Sequence, residues 1–70
     1  MKTFKIRNEF ITLVQFLKVE GFISSGGEAR HFMGLHTIQL NDQPVTERKK
    51  KIVSGDVLTI DSETITFKND

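Results

Sequence analysis

The chain of 70 residues contains no cysteine, which excludes a disulfide framework and any thiolate metal site. No apolar run approaches the roughly 18 residues of a membrane-spanning helix. Met1-Lys2-Thr3 leads into alternating residues, not into the apolar block of a signal peptide. A cytoplasmic protein without membrane attachment is therefore the expectation. Tryptophan and tyrosine are absent and all six aromatic residues are phenylalanine. These are expected in the core, which leaves no exposed aromatic platform for stacking single-stranded bases. The net charge is only +1, so the balance of charge by itself points to no class of partner. Seventy residues make one domain, 1–70, with a core close to the lower limit for independent folding.

Recognisable catalytic chemistry is also missing. His31 and His36 are five residues apart, about 140° around a helix, so they do not converge on a metal as i, i+4 pairs do. Asp56 and Asp61 fall in turns with no nucleophile or base evident nearby, and Ser24 and Ser25 lack His and Asp partners. The stretch "SSGG" has neither the lysine nor the spacing of a phosphate-binding nucleotide loop. A non-enzyme with no cofactor, no metal and no small-molecule substrate is expected.

What the sequence does contain is clear periodicity. Phe4 and Ile6 alternate with Lys5 and Arg7, as in a short strand. In "FITLVQFLKVEGF" the period changes. Thr12 and Gln15 form a capping box, with Ile11 and Phe16 placed for a hydrophobic staple. Leu13, Phe16 and Leu17 share one helical face, and Gly21 is placed to end the helix. Ser25 and Glu28 repeat the capping-box spacing, which puts Gly26 and Gly27 in the first two positions of a second helix with an apolar stripe of Ala29, Phe32 and Met33. Arg30 lies off that stripe. Ile38 and Leu40 alternate with polar residues before an Asn41-Asp42 turn that tolerates positive φ. Ile52-Val53, the turn Ser54-Gly55-Asp56 and "VLTI" suggest a strand pair, and "ETITF" a last strand after an Asp61-Ser62 turn. The fold class is α+β: a strand, two helices and a small antiparallel sheet.

Leu13, Phe16, Leu17, Gly21, Ser25, Ala29, Arg30, Ile38, Leu40, Asn41, Gly55 and Asp56 occur in the order and spacing of the S-four RNA-binding domain, named for a small-subunit ribosomal protein. The resemblance runs from Ile11 to Ile60, about fifty of the seventy residues. Within the family the chain is most similar to the small stand-alone, YaaA-like members, which share Ser-Gly-Gly at the second helix and a flanking strand at each end. The resemblance implies two helices packed on a small antiparallel sheet, with the N-terminal strand near the C-terminal one. Three positions depart from the family pattern. Gly26 stands where a basic residue often follows the helix-opening serine. His36 replaces a glycine and would have to adopt a glycine-like backbone conformation, and Asn41-Asp42 replaces Asn-Gly.

Two readings of "SSGG" follow. The glycines either form a tight connection between two helices at a sharp angle, or let a phosphate approach the N–H groups of a helix start. The residues leave these level, and the resemblance favours the second, although Glu28 would compete for the same positive end. The block Arg48-Lys49-Lys50-Lys51 is equally double-edged. On a strand its side chains would point to alternate faces, so part of it is expected in a solvated loop, and edge lysines also discourage aggregation. Beside Arg30 and the S-four pattern it reads as an electrostatic footprint for phosphate.

The resulting expectation is a monomeric, non-catalytic, ribosome-associated RNA-binding module for structured RNA of rRNA or tRNA type. Ser25, Gly26, Gly27, Arg30, His31, Arg48, Lys49, Lys50 and Lys51 form the interface, which reads shape and backbone more than sequence. The alternative is a small protein–protein adaptor without RNA binding. A β-grasp sulfur carrier fits the size, but the terminal residues Phe67-Lys68-Asn69-Asp70 lack its Gly-Gly end.

Overall fold

The computed structural model describes residues 1–70. The elements are β1 (Lys2–Ile6), β2 (Ile11–Thr12), α1 (Leu13–Val19), a 3₁₀ turn (Gly26–Glu28), α2 (Ala29–Leu35), β3 (Ile38–Leu40), β4 (Gln43–Pro44), β5 (Lys51–Ile52), β6 (Val57–Ile60) and β7 (Glu63–Asn69). Five strands form one sheet in the order β1-β7-β6-β3-β4, while β2 and β5 form a separate two-stranded ribbon. No helix is long and apolar enough to cross a membrane.

The expected α+β architecture is present, with β1 beside β7 as expected and two corrections to the strand pairing of the sheet. It is mixed, because β1 runs parallel to β7, with Phe4 opposite Phe67 and Lys2 opposite Ile65. A second correction concerns Ile52, which does not pair with "VLTI". It faces Ile11 across the small ribbon, and β6 instead pairs with β3 and β7.

Helix α1 is specified at both ends. Gln15 N–H donates to Thr12 Oγ1 at 3.3 Å, and Thr12 N–H donates to Gln15 Oε1 at 2.9 Å, which completes the capping box. At the other end Gly21 takes φ +81. Phe22 N–H donates to Leu17 C=O at 2.9 Å and Gly21 N–H to Lys18 C=O at 3.1 Å, the paired bonds of a Schellman motif.

The core contains only hydrophobic side chains. Its centre is a cluster of phenylalanines from three elements, with Phe16 5.1 Å from Phe4 and 5.2 Å from Phe67 between ring centroids. This edge-to-face contact joins β1, α1 and β7. Leu13, Leu17, Ile38, Leu40, Leu58 and Ile60 are buried as expected, while Phe32 and Met33 are partly buried against them.

The motif residues in the second half form a brace. Asn41 and Asp42 have φ +53 and +68, as a two-residue hairpin between Leu40 and Gln43 demands. Asn41 Oδ1 accepts from Val57 N–H, and Asn41 Nδ2 donates to Asp56 Oδ1. The other carboxylate oxygen of Asp56 accepts from Val53 N–H, closing the turn that Gly55 makes at φ +96. Asn41, Gly55 and Asp56 are therefore scaffold.

His36 is corrected outright. Its φ is −127 and its ψ 152, an extended conformation open to any residue, so no glycine-like backbone is needed. The helix ends instead with His36 N–H on Phe32 C=O at 3.1 Å, while the imidazole stacks on Phe32 at 4.2 Å.

Candidate nucleic-acid interface

The second helix starts differently from its expected form. Residues 26–28 make a single 3₁₀ turn, and α2 proper begins at Ala29. Ser25 makes no side-chain capping bond. The Glu28 carboxylate instead accepts from Ser24 N–H at 3.2 Å. The capping box fails: residues three apart eclipse in a 3₁₀ turn, and the Glu28 carboxylate takes the N–H of Ser24, one residue before the one a capping box uses. The first N–H donated into the turn is that of Glu28, to Ser25 C=O at 3.1 Å. Those of Gly26 and Gly27 precede it and have no intrahelical acceptor.

Neither glycine is required by the backbone. Positive φ among glycines occurs only at Gly21 and Gly55. A Cβ built on Gly26 would sit 3.9 Å from Val14 Cγ2, and one on Gly27 3.9 Å from Ser25 Oγ, both ordinary van der Waals contacts. A sharp connection between helices therefore does not explain them by dihedral or by space.

The basic block divides between a turn and a strand. Lys50 N–H donates to Glu47 C=O at 3.2 Å, so Arg48 and Lys49 occupy the corners of a β-turn, and Lys51 begins β5. The turn docks by its backbone on the start of α1. Leu13 N–H donates to Lys50 C=O at 2.9 Å and Val14 N–H to Arg48 C=O at 2.8 Å. Loop carbonyls thus satisfy two of the N–H groups that a helix start leaves open, and the cationic side chains remain exposed.

This docking brings distant residues together. Arg30, from α2, and Arg48 and Lys49, from the turn, line one cleft of about 620 Å³ with Met33, Val45 and Thr46. Glu47 is the single acid in its wall, leaving an excess of two positive charges there, three cations against one carboxylate. A Cβ on Gly26 would meet the side chain of Val14, the residue whose N–H donates to Arg48 C=O, so the glycine turn and the basic turn both adjoin the start of α1.

Other expected members lie elsewhere. Lys50 faces a neighbouring concavity beside Pro44 and Thr46. Lys51 extends over the ring of Phe10, 4.8 Å from its centroid. His31 is exposed, about 100° around α2 from Arg30, and does not line the cleft.

Two features escaped the sequence. Phe10 and Phe22 are each 38% exposed, so the phenylalanines are not all core. Asp61, expected to have no base near it, has His36 Nδ1 2.7 Å from its Oδ2. That contact, then Thr37 N–H on its other oxygen at 2.9 Å, holds the Asp61 carboxyl below its ordinary pKa. The Asp61–His36 spacing of 25 residues gives no local signal; the β3–β6 register, with Ile38 opposite Ile60 and Asp61 N–H donating to Thr37 C=O at 2.8 Å, brings them together.

The comparisons with known proteins agree with this fold. The family described as S4 domain matches residues 4–68. A Bacillus subtilis (strain 168) protein described as "Probable ribosome maturation protein RlbA" is 45% identical over 56 residues, covering 80% of this chain and 79% of that protein. With the family pattern matched over nearly its whole length and the sheet and helices in place, the chain belongs to the S4 domain family.

Proposed function

We propose that the protein is a non-catalytic RNA-binding module that acts on the ribosome or its precursors and holds structured RNA by phosphate contacts. The observation that carries this reading is the convergence of Arg30, Arg48 and Lys49 on one cleft from elements 18 residues apart in sequence. Guanidinium and ammonium groups around a concave surface suit phosphate. Gly26 and Gly27, with free N–H groups beside Ser25, extend this surface towards α1. Lys50, Lys51 and His31 flank it. The family supports an RNA ligand, and the name of the Bacillus subtilis relative supports the ribosome as its setting. Phosphate contacts of this kind read the shape and backbone of RNA.

The test is the salt dependence of binding to a ribosomal RNA hairpin. If Arg30, Arg48, Lys49, Lys50 and Lys51 each neutralise one phosphate, log K falls against log salt with a slope of roughly −3.5 to −4.5. Replacing Lys49, Lys50 and Lys51 by Ala should flatten the slope by about 2 to 3 and leave the fold intact, since exposed charges contribute little to stability. An unchanged slope, or no RNA binding at low salt, would favour a protein–protein adaptor instead.

A further inference from the structure

Phe10 is the one phenylalanine whose ring meets no other aromatic side chain; the Lys51 ammonium lies over it. The ribbon register explains that contact. Thr12 pairs with Lys51, so Phe10, two residues before Thr12, lies on the same face and diagonal to it. Phe10 also opens onto a second concavity of about 630 Å³ between β1 and α1. Lys5, Arg7 and Lys18 line this groove, and no acidic side chain does. A partly exposed aromatic ring with one ammonium over it and three more cations along the groove it lines has no role in the core, which is complete without it. Isolated exposed apolar residues are ordinary, but an exposed ring set among cations is the combination that grips unpaired nucleotides, bases stacking on the ring and phosphates meeting the charges.

We propose that this groove is a second RNA subsite, one that takes unpaired nucleotides adjoining the structured RNA held by Arg30, Arg48 and Lys49. The two sites are continuous along the chain. Three residue steps separate Arg48 from Lys51, at most about 11 Å of backbone, so one RNA can leave the first cleft and enter the second. The inference rests on the RNA-binding reading above and adds a strand type to it: a duplex end or loop followed by single-stranded RNA.

The test uses an RNA hairpin of about 16 base pairs, blunt or with a single-stranded 3′ tail of about six nucleotides. The tail should raise wild-type affinity about five- to thirtyfold, the lower part of the range for base–aromatic stacking. Phe10→Ala should remove that increment and leave affinity for the blunt hairpin unchanged. Phe10→Trp keeps a stacking surface and introduces the sole tryptophan of the chain. It should retain the increment, and its fluorescence should be quenched by the tailed RNA but not by the blunt one. A tail that adds nothing to wild-type affinity while the blunt hairpin binds would overturn the subsite alone, as would a full increment in Phe10→Ala. Failure to bind either RNA would overturn the RNA reading and the subsite with it.

Discussion

Replacing both Gly26 and Gly27 by alanine separates two explanations for a pair of glycines that the backbone does not need. Each added methyl meets a neighbour at 3.9 Å, so no clash opposes it, and neither residue has the positive φ that would strain an alanine. Glycine to alanine at a compatible site stabilises by about 0.4–1 kcal/mol through the unfolded chain. Because these two residues open a short 3₁₀ turn and are not inside a long helix, the double variant should gain about 0.5–1.5 kcal/mol. For a domain of this size that raises Tm by about 2–12 °C, readable by far-ultraviolet circular dichroism. RNA affinity should move the opposite way. If a phosphate oxygen accepts from Gly26 and Gly27 N–H, a methyl on each Cα holds it away, and losing one charge-assisted hydrogen bond costs about 1.5–3 kcal/mol. Anisotropy of a labelled ribosomal RNA hairpin should then show affinity about ten- to hundredfold weaker. Full affinity in a stable double variant would refute the phosphate contact. A destabilised variant would refute the inference that the glycines are structurally dispensable.

Two further perturbations address the scaffold. Thr12→Ala removes the hydroxyl that accepts from Gln15 N–H and should cost about 1 kcal/mol in a urea titration. It should also loosen the basic turn, which is docked on the same helix start. Asp61→Asn tests the His36 contact through pH. The Asp61 carboxyl titrates below its ordinary value of 3.8 in the native state, so its contribution is present above that value and is lost as pH falls through the lowered one. Urea midpoints for the wild type should therefore drop more steeply than those of Asp61→Asn on acidification below pH 3.8, and parallel curves would refute the linkage. Asparagine suits the test because it tolerates the left-handed backbone that this residue adopts.

The elements legible in the sequence are those whose information is local. The ends of α1 could be read because Thr12, Gln15 and Gly21 act on backbone within one turn of themselves. The Asn41-Asp42 hairpin could be read because both residues must accept positive φ. The partner of Ile52 could not, since β5 is two residues long and its pairing with Ile11 is set by how the turn docks on α1. Ser25 and Glu28 show the limit of motif reading. Their spacing satisfies a capping box, yet the Glu28 carboxylate accepts from Ser24 N–H and the Ser25 hydroxyl caps nothing. Of the site, its composition was legible and its grouping was not. The basic block is visible as a run, but only the turn at Glu47–Lys50 decides that Arg48 and Lys49 meet Arg30 while Lys51 meets Phe10.

The two helix starts are not equivalent, and the difference bears on how a chain of net charge +1 can bind a polyanion. At α1 the first three N–H groups are all taken, by Lys50 C=O, Arg48 C=O and Thr12 Oγ1, so that end offers nothing to an anion. What it offers is anchorage. Ordering a backbone residue costs about 1–2 kcal/mol, and a free basic loop would incur that cost for several residues when it closed on RNA. Here the folded domain has already met it, with the carbonyls turned inward and the cations turned outward, which leaves more of each phosphate contact to appear as affinity. The acids are held back by the same economy of placement. Glu20 pairs with Lys2 and Glu28 accepts from Ser24 N–H, so Glu47 alone opposes Arg30, Arg48 and Lys49 in the cleft. Positive potential is thus concentrated by where the carboxylates are bound and not by an excess of lysine and arginine, and total charge is a poor guide to what the cleft can hold.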